Sequence, residues 1–449
     1  MLKKNDYHQA IITDQSASGS GITYIQNNTV FVPNTLPGDV VKLKIIKITN
    51  SRYYAKLIDI LTPSKQRVEP KCAIAATCGG CQLQHQSYDN QLTFKQHELS
   101  QTLATHLHNQ EDLLKPFIQL TDPWEFRHKM QFSFALENNS NDLAIGLYAA
   151  RSHRVINTTY CPITSPTINA IINTIKHWFK AFPTSVFSET TGAGILRHVT
   201  IRQASTNQHV MIIFTLGSEL LHHESLLTAL TQHECVKSIY TTIQADPTND
   251  HVFGKDLQLL WGDDRITDTI DHCRYSLSPL SFTQANSKLV SQLYQYICHI
   301  IKQTNVASVF DLYCGTGLLS IMLAKQELRV TGVDNNKHAI DDAKHNATLN
   351  QVNATFITAH TEEFFAQEDL KESCIILDPP RRGCHPDVLT ALGTSQPPHI
   401  IYVSCNPVTL NRDLTTLVAA GYTLISIQPF DMFCHTTHCE VVVYLSYKN

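Results

Sequence analysis

From Ser281 onward, apolar and polar positions alternate regularly between short β-type runs and helix-period segments. Leu289, Leu293, Tyr296, Ile297 and Ile300 recur at the three-and-four spacing of a helix buried along one face. Seven β-rich runs follow, at residues 307–313, 329–334, 354–358, 374–378, 399–405, 422–429 and 440–445. Strands separated by helices of ten or more residues pair in parallel, and an open sheet built this way takes its ligands at the carboxyl ends of its strands. The expected fold is α/β, with a Rossmann-like seven-stranded domain over residues 281–449. At the other end of the chain, residues 22–25, 29–32, 40–46 and 53–60 are short β-rich runs separated by Gly19, Gly21, Asn27-Asn28 and Pro37-Gly38. They predict a small OB-like β-barrel over residues 1–62. Residues 63–280 mix helical and β-type stretches and read as an α+β central domain.

Composition adds one correction to this picture. The formal charge of −4 and pI near 6.6 describe an ordinary soluble chain. The total conceals a split, because residues 1–70 hold nine Lys and Arg against five Asp and Glu, leaving 26 against 34 in the remainder. A basic β-barrel suits RNA as well as it suits a structural module with a solvated face. No apolar run approaches the roughly 18 residues that span a bilayer, and the opening MLKKNDYHQA has no apolar segment behind its lysines. The expectation is a cytoplasmic, membrane-free monomer. Thirteen cysteines, three of them within ten residues, fit metal ligation or thiol chemistry better than a disulfide framework.

Candidate chemistry clusters at the ends of the β runs. Asp311-Leu-Tyr-Cys-Gly315-Thr-Gly317 falls where the first run turns into a helix, and Asp334 ends the second, where a carboxylate accepts hydrogen bonds from a ribose. The stretch resembles motif I of S-adenosylmethionine methyltransferases. Asp378-Pro-Pro-Arg-Arg-Gly383 follows the fourth run, Ser404-Cys405-Asn-Pro407 the fifth, and Glu440 opens the seventh. A thiol and a carboxylate beside a methyl donor suggest one chemistry. C5 of uracil is a poor nucleophile until a thiolate adds to C6, and a base must then remove the C5 proton. Cys405 is the candidate thiol and Glu440 the candidate base.

With these motifs in this order, the chain resembles the RNA uracil-5-methyltransferase family, in the branch that carries an amino-terminal TRAM domain and an iron–sulfur cluster and modifies 23S ribosomal RNA. Val32-Pro-Asn-Thr-Leu-Pro-Gly38 and Pro63-Ser-Lys-Gln-Arg-Val-Glu-Pro70 look like TRAM, and Phe282-Thr-Gln284-Ala-Asn286, motif I, DPPRRG and SCNP look like the catalytic domain. The resemblance implies Cys405 as nucleophile, Glu440 as base, and Gln284, Tyr313, Asp334 and Asp378 as contacts to S-adenosylmethionine. The family often carries Glu where Asp334 stands and an acid where His360 stands.

Cys72, Cys78 and Cys81 supply three thiols around Gly79-Gly80, and Cys161-Pro162 offers a fourth. Four thiolates suit zinc or a [4Fe-4S] cluster, and spacing does not choose between them. The resemblance implies iron–sulfur. Other readings are a tRNA uracil-5 enzyme, a cytosine-5 enzyme, or a non-catalytic RNA-binding assembly factor with a relict methyltransferase fold. Cytosine-5 enzymes place a cysteine directly after a proline in the loop where this chain has Asp378-Pro-Pro-Arg, with Cys384 only later.

Overall fold

In Val40–Ile48 the side chains of Val41, Leu43 and Ile45 face inward while Lys42 and Lys47 face solvent, the alternation of a strand with one buried face. The computed structural model describes the whole chain except residues 1, 51, 109, 138–139, 221–222, 250, 365–369, 448–449 and the side chain of Glu111. It divides into two compact units: Met1–Leu99 with Leu147–Ile156 and Phe433–His438, and Ser100–Gly146 with Asn157–Met432 and Cys439–Asn449.

The first unit holds a six-stranded sheet of β1 (Tyr7–Ile11), β2 (Asp14–Gln15), β3 (Gly21–Ile25), β4 (Asn28–Val32), β5 (Val40–Ile48) and β6 (Tyr53–Thr62), in the order β1-β5-β6-β4-β3-β2. Its core is Leu2, Ile12, Val30, Val32, Val41, Leu43, Ile45 and Ala55. The sequence reading found four of these strands and missed β1 and β2. β1, with the sequence Tyr-His-Gln-Ala-Ile, has no residue that is fully buried, so its pattern carries no apolar alternation. Below the sheet, the buried Asp39 carboxylate receives Arg67 Nη2 at 2.6 Å, Leu36 N at 2.9 Å and Ser64 N at 2.9 Å, which ties the segment after β6 to the sheet.

The middle of the chain forms a seven-stranded mixed sheet of β7 (Lys129–Leu136), β8 (Leu143–Tyr148), β9 (Val155–Asn157), β10 (Leu196–Gln203), β11 (Val210–Leu216), β12 (Val236–Ile243) and β13 (Leu257–Gly262). Its order is β13-β12-β11-β10-β7-β8-β9. Every residue of β10 and β11 is buried, as central strands require. The hairpin of β14 (Ile266–Ile270) and β15 (Cys273–Leu277) leads to the helix Ser287–Gln303, whose first turn is capped by Asn286 Oδ1 accepting from Lys288 N and Leu289 N, both at 3.1 Å.

Seven strands then form the α/β sheet: β16 (Ser308–Leu312), β17 (Arg329–Asp334), β18 (Thr355–Thr358), β19 (Ser373–Leu377), β20 (His399–Ser404), β21 (Tyr422–Phe430) and β22 (Glu440–Tyr447), in the order β18-β17-β16-β19-β20-β22-β21. All seven coincide with the β runs read from the sequence to within two residues at each end. Two pairings differ from the parallel expectation, since β22 inserts antiparallel between β20 and β21. Only residues 431–439 connect β21 to β22 and they contain no helix, too little chain for the crossover that parallel pairing needs. Among the described residues, no helix is long and apolar enough to cross a membrane.

Candidate active site

The first strand-to-helix turn is built from left-handed backbone. Tyr313, Gly315 and Gly317 have φ of 65°, 54° and 75°. A Cβ on Gly317 would lie 2.7 Å from the Phe356 ring and 2.8 Å from Ala343, so only glycine packs there. A Cβ on Gly315 would meet nothing within 4 Å, because this turn faces open space. Asp334 braces the turn: its Oδ2 accepts from Gly315 N at 3.0 Å and its Oδ1 from Asn336 N at 2.8 Å.

The open space is a cavity whose walls include Gln284, Tyr313, Gly315, Thr316 and Asp378. Three of the four cofactor contacts read from the sequence thus share one cavity, and the fourth, Asp334, supports its glycine turn. An exposed glycine edge, an aromatic side chain and carboxylates suit a nucleoside-bearing donor such as S-adenosylmethionine. Asp311, at the same strand end, is buried and accepts from Ser320 Oγ at 2.5 Å. Burial pushes its carboxyl up to about 6, helped by the charge of Asp334. Asp378 is raised further, to about 7, by burial and by Asp311.

Cys405 and Glu440 are brought together by strand register. Ser404 pairs with Val441 across β20 and β22, so the next residue of one strand and the preceding residue of the other emerge side by side. Glu440 is 2% exposed, and burial together with Asp378 holds its carboxyl well above the usual range, opposed by Arg381. Cys405 is half-buried. Burial and Glu440 raise its thiol, Arg381 lowers it and Asp378 adds to the rise. Asp378, which lines the cavity, acts by its charge on both residues.

Several groups in this region carried no role in the sequence reading. Lys129 and Arg202 stand directly opposite each other on β7 and β10 and line the cavity. Burial, with Arg202 and Arg127, depresses the Lys129 ammonium to about 7. The run Arg127-His-Lys129 was the available signal, but basic residues in a β run read equally as a solvated face. Tyr294, on the helix Ser287–Gln303, is raised by burial and by the surrounding Asp378, Asp311 and Glu440. It falls outside the set Leu289, Leu293, Tyr296, Ile297 and Ile300 by which the sequence marked this helix.

The cysteine loop lies in the first unit. Cys72 is buried, while Cys78 and Cys81 are half-buried. Gly80 N donates to Cys78 Sγ at 3.4 Å, and burial raises the Cys78 thiol, with a further push from Cys72. Cys161 lies in the second unit, where its N–H donates to Asn169 Oδ1 at 2.7 Å. Among the described residues, no three His, Cys, Asp or Glu side chains converge as a metal-ligand group.

Comparison with known proteins adds to this geometry. Residues 255–448 match the family model described as tRNA (Uracil-5-)-methyltransferase, and residues 3–58 match the TRAM domain. An uncharacterized RNA methyltransferase of Clostridium tetani is 36% identical over 99% of this chain and 97% of its own length. One from Listeria innocua is 36% identical over 100% of this chain and 99% of its own. The crystal structure of Pyrococcus abyssi tRNA (uracil-54, C5)-methyltransferase in complex with S-adenosyl-L-homocysteine superposes with a TM-score of 0.79 at 26% identity, covering 98% of this chain and 100% of that one.

Proposed function

The chain belongs to the RNA uracil-5-methyltransferase family and is an S-adenosylmethionine-dependent enzyme of it, and from that premise we propose that it methylates C5 of a specific uridine in 23S ribosomal RNA through a covalent adduct with Cys405. The observation that carries the reading is the β20–β22 register, which sets a thiol and a buried carboxyl side by side at the strand ends.

When bound, the donor supplies an electrophilic sulfonium methyl group, and Gln284, Tyr313, Asp334 and Asp378 hold it. The Cys405 thiolate adds to C6 of the ring, placing charge on the C4 oxygen and making C5 nucleophilic. C5 then forms its bond to the methyl carbon, and the pair from the broken carbon–sulfur bond stays on the donor's sulfur. The Glu440 carboxylate removes the C5 proton, the C5–C6 double bond re-forms, and the Cys405 thiolate departs. Burial suits Glu440 to this task, because a base with an elevated pKa retains a proton taken from carbon more firmly. The ring has to leave its stack for a thiolate to reach C6.

Residues 1–62 and 63–280 are assigned to gripping the RNA, residues 281–449 to catalysis. The family resemblance alone supports Cys72, Cys78 and Cys81 as thiolate ligands of an iron–sulfur cluster, with zinc as the alternative, since no three such side chains converge among the described residues. This cysteine loop favours the ribosomal substrate, through the resemblance that carries it. The Pyrococcus abyssi structure favours the second reading, a tRNA substrate. Mapping 5-methyluridine in ribosomal and transfer RNA from cells with and without the gene tests the choice. Loss confined to 23S RNA is expected, and loss confined to tRNA transfers the assignment.

A further inference from the structure

We propose that Lys129 and Arg202 form the site for the carboxylate at the amino-acid end of the methyl donor, and so select the full donor over an adenosyl thioether that lacks this group. The proposal deepens the reading of the cavity as the donor site and rests on it.

Register places the pair. Lys129 of β7 stands directly across from Arg202 of β10, so both side chains leave the sheet on one face. Both line the cavity whose walls also carry Gln284, Tyr313, Gly315 and Thr316. Arg202 is 2% exposed, and its guanidinium is fixed by Nη1 donating to Ser278 O at 3.4 Å. Its Nε is buried and has no hydrogen-bond partner among the described residues.

Two like charges opposite each other on neighbouring strands repel, and burying them without a counter-ion adds to the cost. Among the described residues, no carboxylate forms an ion pair with either cation. Asp342, the one acid that acts on Arg202, is already engaged by Arg265, Ser278 and Ser281. Asp268, on the cavity wall, accepts from Ser205 N at 2.6 Å, Thr206 Oγ1 at 2.8 Å and Tyr275 Oη at 3.0 Å. Asp311 and Asp378 are held up by burial and act on neither cation. The depressed Lys129 ammonium fits this surplus, since no acid is among the groups acting on it. The pair is therefore complementary to an anion that arrives with the ligand. Of the groups on S-adenosylmethionine, only the carboxylate is anionic, and a guanidinium fork matches its geometry. A carboxylate on a flexible chain reaches a buried arginine more readily than a phosphate within an RNA backbone does. The cavity walls include neither Cys405 nor Glu440, so the two cations face the donor rather than the reacting base.

The test titrates full-length protein without RNA by calorimetry, with S-adenosylhomocysteine and with its decarboxylated analogue, which lacks only the carboxylate. Wild type should bind S-adenosylhomocysteine about ten-fold tighter or more, the size of a charge-assisted hydrogen bond. In Lys129→Met and in Arg202→Met this preference should shrink toward none, with affinity for the analogue unchanged. Retained binding of the analogue also shows that the variant is folded. Should the buried Arg202→Met bind neither probe, Lys129→Met, altered at a half-buried position, decides. Equal affinity of wild type for the two probes overturns the proposal. A preference that survives in both variants does so too, and with weakened RNA binding it hands the pair to a phosphate. Loss of both probes in both variants overturns it by assigning the pair to the shape of the cavity. Wild type that binds neither probe overturns the donor cavity itself, which is a separate failure.

Discussion

Ser404 and Val441 are the last register pair between β20 and β22, and this one pairing delivers Cys405 and Glu440 to the same end of the sheet. The two residues are 35 positions apart in sequence, so their meeting depends on the antiparallel insertion of β22. Cys405→Ala removes the atom that adds to C6 and should reduce methyl incorporation by several orders of magnitude. The side chain is half-buried and small, so the variant should lose no more than about 1 kcal/mol of stability. Tritiated-methyl transfer and a thermal melt on the same preparation check both, and normal turnover in a folded variant would refute the assignment.

The two motif I glycines should fail differently. Gly317→Ala drives a methyl group into the Phe356 ring and Ala343, and should cost stability by overpacking, about 1–3 kcal/mol. Gly315→Ala meets no protein atom, so only its left-handed backbone is penalised, by about 1 kcal/mol. Its methyl group instead projects into the donor cavity and should weaken S-adenosylhomocysteine binding. Calorimetric titration beside denaturant unfolding separates them, and G315A binding the nucleoside normally counts against the cavity as the donor site.

The acidic strand ends make apo-protein stability fall as pH rises. Asp378 has a folded pKa near 7, raised by burial and by Asp311, against an ordinary value of 3.8. The folded state therefore binds the proton more tightly than the unfolded state. The associated stability is present in full below about pH 4 and is lost as pH climbs through 7. Asp378→Asn removes this dependence. It should melt higher than wild type at pH 8, with the difference shrinking toward pH 4. Melting curves at pH 4.5 and 8 measure this, and a difference that grows on acidification would contradict the burial argument.

How far the sequence disclosed this arrangement depended on the kind of signal. The strands of the α/β sheet were legible because β16, β19 and β20 are buried almost throughout and carry apolar stretches, Val309-Phe310, Cys374–Leu377 and Ile400–Val403. Motif I, Asp378 and Cys405 were legible because each follows such a run. Lys129 was not, because its importance comes from a neighbour 73 positions away, Arg202, directly across β7 and β10. Arg381 sat in a motif already read for its aspartate and prolines, and the hydrogen bonds from Asn406 and Thr409 to its main-chain oxygen are encoded by no spacing. β1 escaped because a strand with no fully buried residue has no apolar face to read.

The sharpest separation of roles comes from Glu440→Gln. Glutamine keeps the volume of a side chain that is 2% exposed, so the fold should survive. It also removes one of the two acids that hold the Cys405 thiol up, so addition to C6 should proceed at least as readily as in wild type. Methyl transfer to C5 then follows, but an amide cannot accept the C5 proton. Elimination stops, and the RNA stays bonded to Cys405 with the methyl group in place. Denaturing electrophoresis should show a retarded protein–RNA band that appears only with S-adenosylmethionine present, and mass spectrometry should find methylated uridine on the peptide containing Cys405. In Cys405→Ala/Glu440→Gln the band should vanish. Free methylated RNA released by E440Q at the wild-type rate, with no adduct at any time, would mean that another group takes the proton.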